Sequence, residues 1–470
     1  MTRTAITVTA AGVALVAALA FGTVAPTGAQ ARSTRIAAAR AVPPPASGQP
    51  PFPDCPAFGV IGSRGSGQGT TSQAQGFGLG YADWLFALSL GQKLPGVEYT
   101  YNPYPAVGAE NVIFNPGSLF GVDPTTYFGS VAIGRNNLQQ MLTAEENACP
   151  LTQVFFAGYS QGAEVTADLV QALHPGAFLS ELWRRIAGTV LFGDPLYNHA
   201  DRVADVNPGL RNDGILTSNT LGPHLFPAAD AGKVQSYCIP TDYICQGLGQ
   251  FILHGGTPHS RYGVTNTWPT DAASYFAKVT PRPDQGDFPN PVSLIPHDRL
   301  SIQPTQIVGQ TFTAGISGSL TEVDLAIEGC TNGQPVSCVD PNTGAVRVQI
   351  TGVTSTGAPN LSAVLGTSQK PGSAIPHYIL CCGGGGAIAD PEAVQFPFTP
   401  IRIRAGQKYA IVAFPYGPNP SNTTYDVFEA NDRYGGGASY FGTQALGMVP
   451  FNPNPPATPD FFFQTFVATG

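Results

Sequence analysis

Ser160 stands in the stretch QVFFAGYSQG, residues 153–162, where a short apolar run ends in a Gly-x-Ser-x-Gly turn. A serine at the tip of a sharp strand-to-helix bend exposes its hydroxyl while the next backbone N–H faces a developing oxyanion. Flanking glycines remove the side chains that would clash there. The hydroxyl attacks a carbonyl only if a histidine takes its proton and an acid orients that histidine. Both types follow in the order serine, acid, histidine: residues 237–263, YCIPTDYICQGLGQFILHGGTPHSRYG, hold Asp242, His254 and His259. Together these residues could carry acyl transfer through a serine ester.

His259 is the expected base because it alone has a tyrosine three positions on, Tyr262. His254 is the alternative base, or else a loop histidine at a cleft rim. Asp242 lies between Cys238 and Cys245, and a disulfide there would fix the acid's loop without a large core around it. Asp194, in LFGDP after another apolar run, is the competing acid; otherwise it is a turn aspartate at an Asp-Pro step. Leu248, Phe251, Ile252 and Leu253 form an apolar cluster between acid and base. The cluster is either a rim for an acyl chain or a loop folded onto its own domain. Ser66 closes a Ser-Arg-Gly-Ser stretch behind a predicted strand over 58–61, the place where such folds put a second oxyanion donor.

The elements that must position these groups are visible on both sides of Ser160. Val154, Phe155 and Phe156 read as a buried strand, and Val165, Leu169 and Leu173 mark one face of a helix that Pro175 ends. Eight cysteines without a C-x-x-C spacing are read as disulfides rather than metal ligands, because the chain is expected to be exported. Cys55 and Cys149 each precede a predicted strand, so a bridge between them would tie neighbouring strands at their starts.

Export is expected from residues 1–31: Arg3 gives a positive start, residues 10–21 an apolar core, and Ala29-Gln30-Ala31 a small-x-small cleavage site. Residues 32–54, rich in Ala and Pro, are expected to be a disordered lead-in outside any core. No later segment is apolar enough for long enough to span a bilayer. Only 11% of the residues are charged, the net charge is −8, and there is no basic run, which excludes nucleic acid as a partner.

Composition changes after residue 280. A helix capped by Thr270 and running to Val279 is expected to close a catalytic domain over 55–280, followed by a Pro-rich linker over 281–299. From 300 to 470 apolar and polar residues alternate (Val323, Leu325, Ile327; Val346, Val348, Ile350; Ile401, Ile403; Tyr409, Ile411; a run near 461–467) between Gly, Pro, Asn and Ser. This pattern predicts a β-sandwich. Its expected role is adhesion to a polymer or cell surface, or support of its neighbour. Tyr425, Phe428, Tyr434, Tyr440 and Phe441 are either stacking platforms or core residues. Cys330, Cys338, Cys381 and Cys382 leave three pairings open.

Four motifs in order, SRGS at 63–66, GYSQGAE at 158–164, the C-x3-D-x2-C-x-G loop at 238–247 and His-x-x-Tyr at 259–262, together resemble the cutinase family over residues 55 to 280. Those proteins are small, lidless α/β-hydrolases that cleave esters of cutin, lipids or acetylated xylan. The resemblance implies a three-layer α/β-hydrolase domain and a secreted serine esterase that needs no metal or organic cofactor. It implies Ser160 as nucleophile, His259 as base and then acid, and Asp242 as orienting acid. The oxyanion hole would use the N–H groups of Gln161 and Ser66, with the Ser66 hydroxyl as a third donor. Its bridges would be Cys55 with Cys149 and Cys238 with Cys245. The gap from Asp242 to His259 is longer than in the compact fungal members, and His254 sits nearer the shorter spacing. The stretches QTFTAGISGSLTEVDLAI and RAGQKYAIV are similar to jelly-roll modules of secreted bacterial proteins. The expected partner is an ester of a polyester, lipid or acylated polysaccharide. An acetylxylan esterase and a non-catalytic surface-binding protein on a hydrolase scaffold are the alternatives.

Overall fold

The computed structural model describes residues 39–469 except 109–125, 174–179, 205, 208, 218–221, 248–256, 287, 289–297, 303–304, 332–343, 377–392, 418–422, 432–433, 444 and 452–458. The expected leader, the apolar cluster Leu248, Phe251, Ile252 and Leu253, the alternative base His254, and Cys338, Cys381 and Cys382 lie outside the described residues.

In the first half, six strands run parallel: β1 (Arg40–Ala41), β2 (Phe58–Ser63), β3 (Val97–Tyr101), β4 (Gln153–Tyr159), β5 (Ile186–Phe192) and β6 (Val234–Tyr237), in the order β1-β3-β2-β4-β5-β6. The described helices are α1 (Tyr81–Gly91), α2 (Tyr127–Ala148), α3 (Gln161–Ala172), α4 (Ser180–Arg185), α5 (Tyr243–Gln246) and α6 (Trp268–Val279). Helices on both faces explain why the central strands are almost uninterrupted apolar runs. Alternation along β4 sends Phe155 and Ala157 into a core shared with α1 and α6. Val154 and Phe156 point the other way, into a core shared with α2 and α3. Burying each such aromatic contributes ~1.5–3 kcal/mol. The chain steps from β2 to β3 on one side and crosses back to β4 on the other, so a crevice opens beyond the carboxyl ends of β2 and β4, where open α/β sheets bind their ligands.

Three expectations are corrected here. From residue 39 onward the lead-in does join the core: Arg40 and Ala41 pair with Glu98 and Tyr99, and Phe52 is fully buried. Its ring occupies the space that a Cβ at Gly59 would need, 2.1 Å from the nearest ring carbon. The last helix begins at Trp268 rather than at a Thr270 cap, because Pro269 presets the first turn and moves the start upstream. Part of the stretch expected to be a linker is a strand, β7 (Arg282–Gly286), paired with the last strand of the chain.

The second half is all-β and antiparallel. After β7 come β8 (Asp298–Ile302), β9 (Ile307–Thr313), β10 (Gly318–Thr331), β11 (Ala345–Val353), β12 (Pro359–Pro371), β13 (Ala393–Ile403), β14 (Lys408–Tyr416), β15 (Thr423–Asn431), β16 (Ser439–Thr443), β17 (Gly447–Pro450), β18 (Pro459–Phe461) and β19 (Phe463–Ala468). One sheet has the order β12-β11-β14-β9-β16-β17; the other runs β18-β15-β10-β19-β7, with β13 on β10 and β8 on β15. The alternation read from the sequence supplies the core between them: Val323, Leu325 and Ile327 from one sheet meet Val346, Val348 and Ile350 from the other. Tyr425, Tyr434 and Tyr440 are buried, which removes them as stacking platforms. Phe428 lies on β15.

The two halves touch. Leu151, just before β4, packs with Phe288, Ala326 and Phe462. Arg185, at the end of α4, is paired with Glu146 of α2 and lies 3.7 Å from Asp324 of β10. Among the described residues no helix is long and apolar enough to cross a membrane.

Candidate active site

The turn at Ser160 is made by what surrounds it. Ser160 has φ 56° and ψ −121°, a backbone region that non-glycine residues occupy only under constraint, at ~1–3 kcal/mol. Its N–H donates to the Phe192 carbonyl at 2.8 Å, and its own carbonyl accepts from Ala163 and Glu164, which starts α3. Both glycines of the motif are required by close approach. A Cβ at Gly158 would lie 2.4 Å from the Gly162 carbonyl oxygen; one at Gly162 would lie 1.7 Å from that of Ser63. The second contact brings the loop after β2 against the start of α3. Gly162→Ala is therefore expected to push that loop away and destabilise the fold by at least ~1–3 kcal/mol, the scale of an overpacked core. Thermal denaturation measures it, and an unchanged melting temperature would mean that the approach is not tight.

The pair expected to serve Ser160 is formed by two segments of the Cys238–Cys245 region. That disulfide is present, as is Cys55–Cys149 at the starts of β2 and β4. Asp242 is completely buried and precedes α5. One carboxylate oxygen, Oδ1, accepts from the Ile244 N–H at 2.9 Å. The other, Oδ2, lies 2.8 Å from His259 Nδ1 and accepts the Tyr262 hydroxyl at 2.8 Å. The conspicuous tyrosine three residues beyond His259 thus has a structural role, since it holds the same carboxylate oxygen that holds the imidazole. With Nδ1 so engaged, Nε2 is the free nitrogen.

Tyr159 and Gly193, both beside the elbow, close on His259. The Tyr159 ring stacks on the imidazole with centroids 5.0 Å apart, and its hydroxyl donates to the His259 carbonyl at 2.8 Å. A Cβ at Gly193, next to the Phe192 that binds Ser160, would meet His259 Cε1 at 2.9 Å. The Asp242–His259 pair thus lies against Tyr159, which ends β4, and Gly193, which follows β5, on the side of the sheet where Ser160 stands. Sequence reasoning did not single out Tyr159. Its signal was available as an aromatic at the second position of the turn.

The loop after β2 reaches the same place. A Cβ at Gly65 would lie 3.1 Å from Ser160 Cβ. The Ser66 hydroxyl is buried with no hydrogen-bond partner, an uncompensated polar atom of the kind a substrate oxygen could satisfy. Arg64 shapes the loop: its guanidinium donates to the carbonyls of Gln68 at 2.8 Å and of Tyr104, and the Tyr104 hydroxyl donates back to the Arg64 carbonyl. The Gln161 side chain is held by Tyr127 and Ser130, while its backbone N–H begins α3.

Asp194 does not serve as the acid of this pair. It belongs to a second, buried cluster that sequence reasoning missed. Its Oδ2 lies 2.7 Å from His224 Nδ1, and His224 Nε2 lies 3.1 Å from Asp168. Burial alone would push the imidazole down, but Asp194 and Asp168 outweigh it and hold His224 up at about 10. Beside it, burial and the neighbouring Asp168 raise Glu164 to about 8, against the Tyr127 hydroxyl that donates to it at 2.7 Å. The Asp194 Oδ1 accepts from the Leu196 N–H at 2.9 Å, so the turn role expected at the Asp-Pro step is also present.

The cutinase family model matches residues 54–279. An acetylxylan esterase of Hypocrea jecorina is 28% identical over a match covering 43% of this chain and 62% of its own length. A cutinase of Botryotinia fuckeliana is 28% identical, covering 37% of this chain and 67% of its own. The chain thus spans about three fifths to two thirds of the length of these relatives. A solved cutinase-like protein from Cryptococcus sp. is 20% identical over 48% of this chain and 93% of its own, with a TM-score of 0.34.

Proposed function

We propose, from the premise that residues 54–279 are a domain of the cutinase family, that this protein is a secreted serine esterase that hydrolyses carboxylic esters of a polymer or lipid. The observation that carries the proposal is the hydrogen-bonded Asp242–His259 pair closed over by the neighbours of a strained Ser160.

In the proposed cycle the Ser160 hydroxyl attacks the ester carbonyl carbon while His259 Nε2 takes its proton, and Asp242 stabilises the imidazolium. The tetrahedral oxyanion accepts from the N–H groups of Gln161 and Ser66 and from the Ser66 hydroxyl. The intermediate collapses, the C–O bond to the alcohol breaks, and the alcohol leaves with the proton from His259. Water, deprotonated by the same nitrogen, attacks the acyl-enzyme and frees the carboxylic acid and Ser160.

The test is the rate on p-nitrophenyl esters from acetate to palmitate. Hydrolysis with an optimum beyond acetate is expected. An optimum at acetate would move the substrate class to acetylated polysaccharide, in line with the name of the Hypocrea jecorina relative. No hydrolysis of any ester by folded protein would overturn the proposal in favour of a binding protein on a hydrolase scaffold.

A further inference from the structure

A cleft of about 800 Å³ opens at one end of the β-sandwich, far in sequence from Ser160 and unused by the proposed reaction. Of the lysines and arginines after residue 300, namely Arg347, Lys370, Arg402, Arg404, Lys408 and Arg433, three line this one cleft: Arg402, Arg404 and Lys408. Among the described residues no aspartate or glutamate lines it. That is an unusual concentration in a chain whose net charge is −8.

The strands explain the convergence. Ile401 and Ile403 of β13 point into the sandwich core, so alternation turns Arg402 and Arg404 outward together, ~6.7 Å apart at twice the strand rise. The chain then turns, and Lys408 opens β14 with Tyr409 buried beneath it. All three cations are exposed, and none of their side chains has a hydrogen bond or ion pair among the described residues. Arg347 differs: it lies over the Tyr416 ring and donates to Gln369 at 3.2 Å. Three unpaired cations held in one cleft repel one another, and a multivalent anion is what would relieve that repulsion.

The other walls narrow the anion's chemistry. Ser319 and Thr469, both hydroxyl-bearing, line the cleft, as does Leu365, which is 46% exposed. Hydroxyls beside an exposed apolar ledge suit sugar rings, with their polar edges and C–H faces, better than a bare inorganic anion. Guanidinium groups bind carboxylates through two parallel hydrogen bonds, and ~300–1,000 Å³ is the usual size of a small-ligand cleft. The geometry points to a binding site for an acidic polysaccharide, a chain of uronate sugars whose carboxylates meet Arg402, Arg404 and Lys408. This site does not rest on the esterase proposal. It would hold the protein on a carboxylated polymer whatever the first half does.

The test is calorimetric titration of the full chain with tetragalacturonate, with maltotetraose and tripolyphosphate as the neutral and the purely charged comparisons. Saturable binding of tetragalacturonate is expected, weakening several-fold as NaCl is raised and the Debye length falls from ~10 Å toward ~3 Å. The triple variant Arg402→Glu, Arg404→Glu, Lys408→Glu is expected to lose at least tenfold in affinity with its melting temperature unchanged. The milder Arg404→Gln is expected to lose part of it. The site is overturned if the wild-type chain does not bind, if Arg404→Gln and the triple variant bind as tightly as wild type, or if maltotetraose binds equally well. Tripolyphosphate bound as tightly as tetragalacturonate would overturn the assignment to a saccharide.

Discussion

Ser160→Ala is expected to lower p-nitrophenyl ester hydrolysis by roughly 10⁴- to 10⁶-fold, the scale seen when a nucleophile is removed from an otherwise intact triad. The fold should survive, because Asp242, His259, Tyr159 and Tyr262 hold one another without the serine hydroxyl. A second substitution separates chemistry from strain. Ser160 sits at φ 56°, which glycine adopts freely, so Ser160→Gly should be as inactive as alanine yet more stable by up to ~1–3 kcal/mol. Initial rates and thermal melts on the same three proteins decide both points. Residual activity within tenfold of wild type in either variant would remove Ser160 as the nucleophile. A melting temperature that does not rise for glycine would mean that the elbow stores no strain.

His224→Ala is expected to destabilise the protein by ~3–5 kcal/mol, the cost of removing one partner from a buried ion pair, because Asp194 and Asp168 would be left facing a cavity. The same cluster sets a pH dependence. His224 is held at about 10 in the folded protein, against ~6.5 in an unfolded chain. The folded state therefore binds the extra proton throughout that interval, and stability falls as pH rises. The contribution is complete below the unfolded value and is lost as pH passes through about 10. Glu164 is raised to about 8, and so is Glu145 by its own burial. Both also bind protons more readily folded than unfolded, so they act in the same direction at lower pH. A melting temperature that declines from mildly acidic to alkaline pH is expected, with the alkaline part flattened in His224→Ala. A melting temperature that climbs with pH would overturn this account.

The elements around the elbow were legible because their signals are local. A β4 of consecutive apolar residues, the glycines of the turn and the period of Val165, Leu169 and Leu173 all lie within one short window, and the sandwich strands announce themselves by alternation. The features missed are those whose partners lie far apart. Nothing near Asp168, Asp194 or His224 says that the three meet, because the meeting is made by α3, the end of β5 and a loop before β6. The lead-in was misjudged for a similar reason. Its Ala and Pro content describes a chain without a core of its own, while Phe52 borrows one at Gly59 and Arg40 finds Glu98 at 3.0 Å. Tyr425, Tyr434 and Tyr440 show the limit of composition in the second half, since alternation marks a sandwich aromatic without saying which face is inside.

The position of β19 has a consequence for the order in which the molecule can form. This strand lies between β10 and β7, so the residues that begin the sandwich wait for residues 463–468 before their sheet can close. The first half has its strands and both disulfides complete within residues 40–245 and can assemble as it emerges, whereas the second is dominated by pairings of large sequence separation, which form slowly. During that interval Leu151 and Arg185 on the finished half face no partner from the sandwich. A chain halted before Phe463 would keep its elbow and still present an open edge along β10, a template for another chain. Early termination in this protein is thus a route to aggregation more than to loss of the serine site.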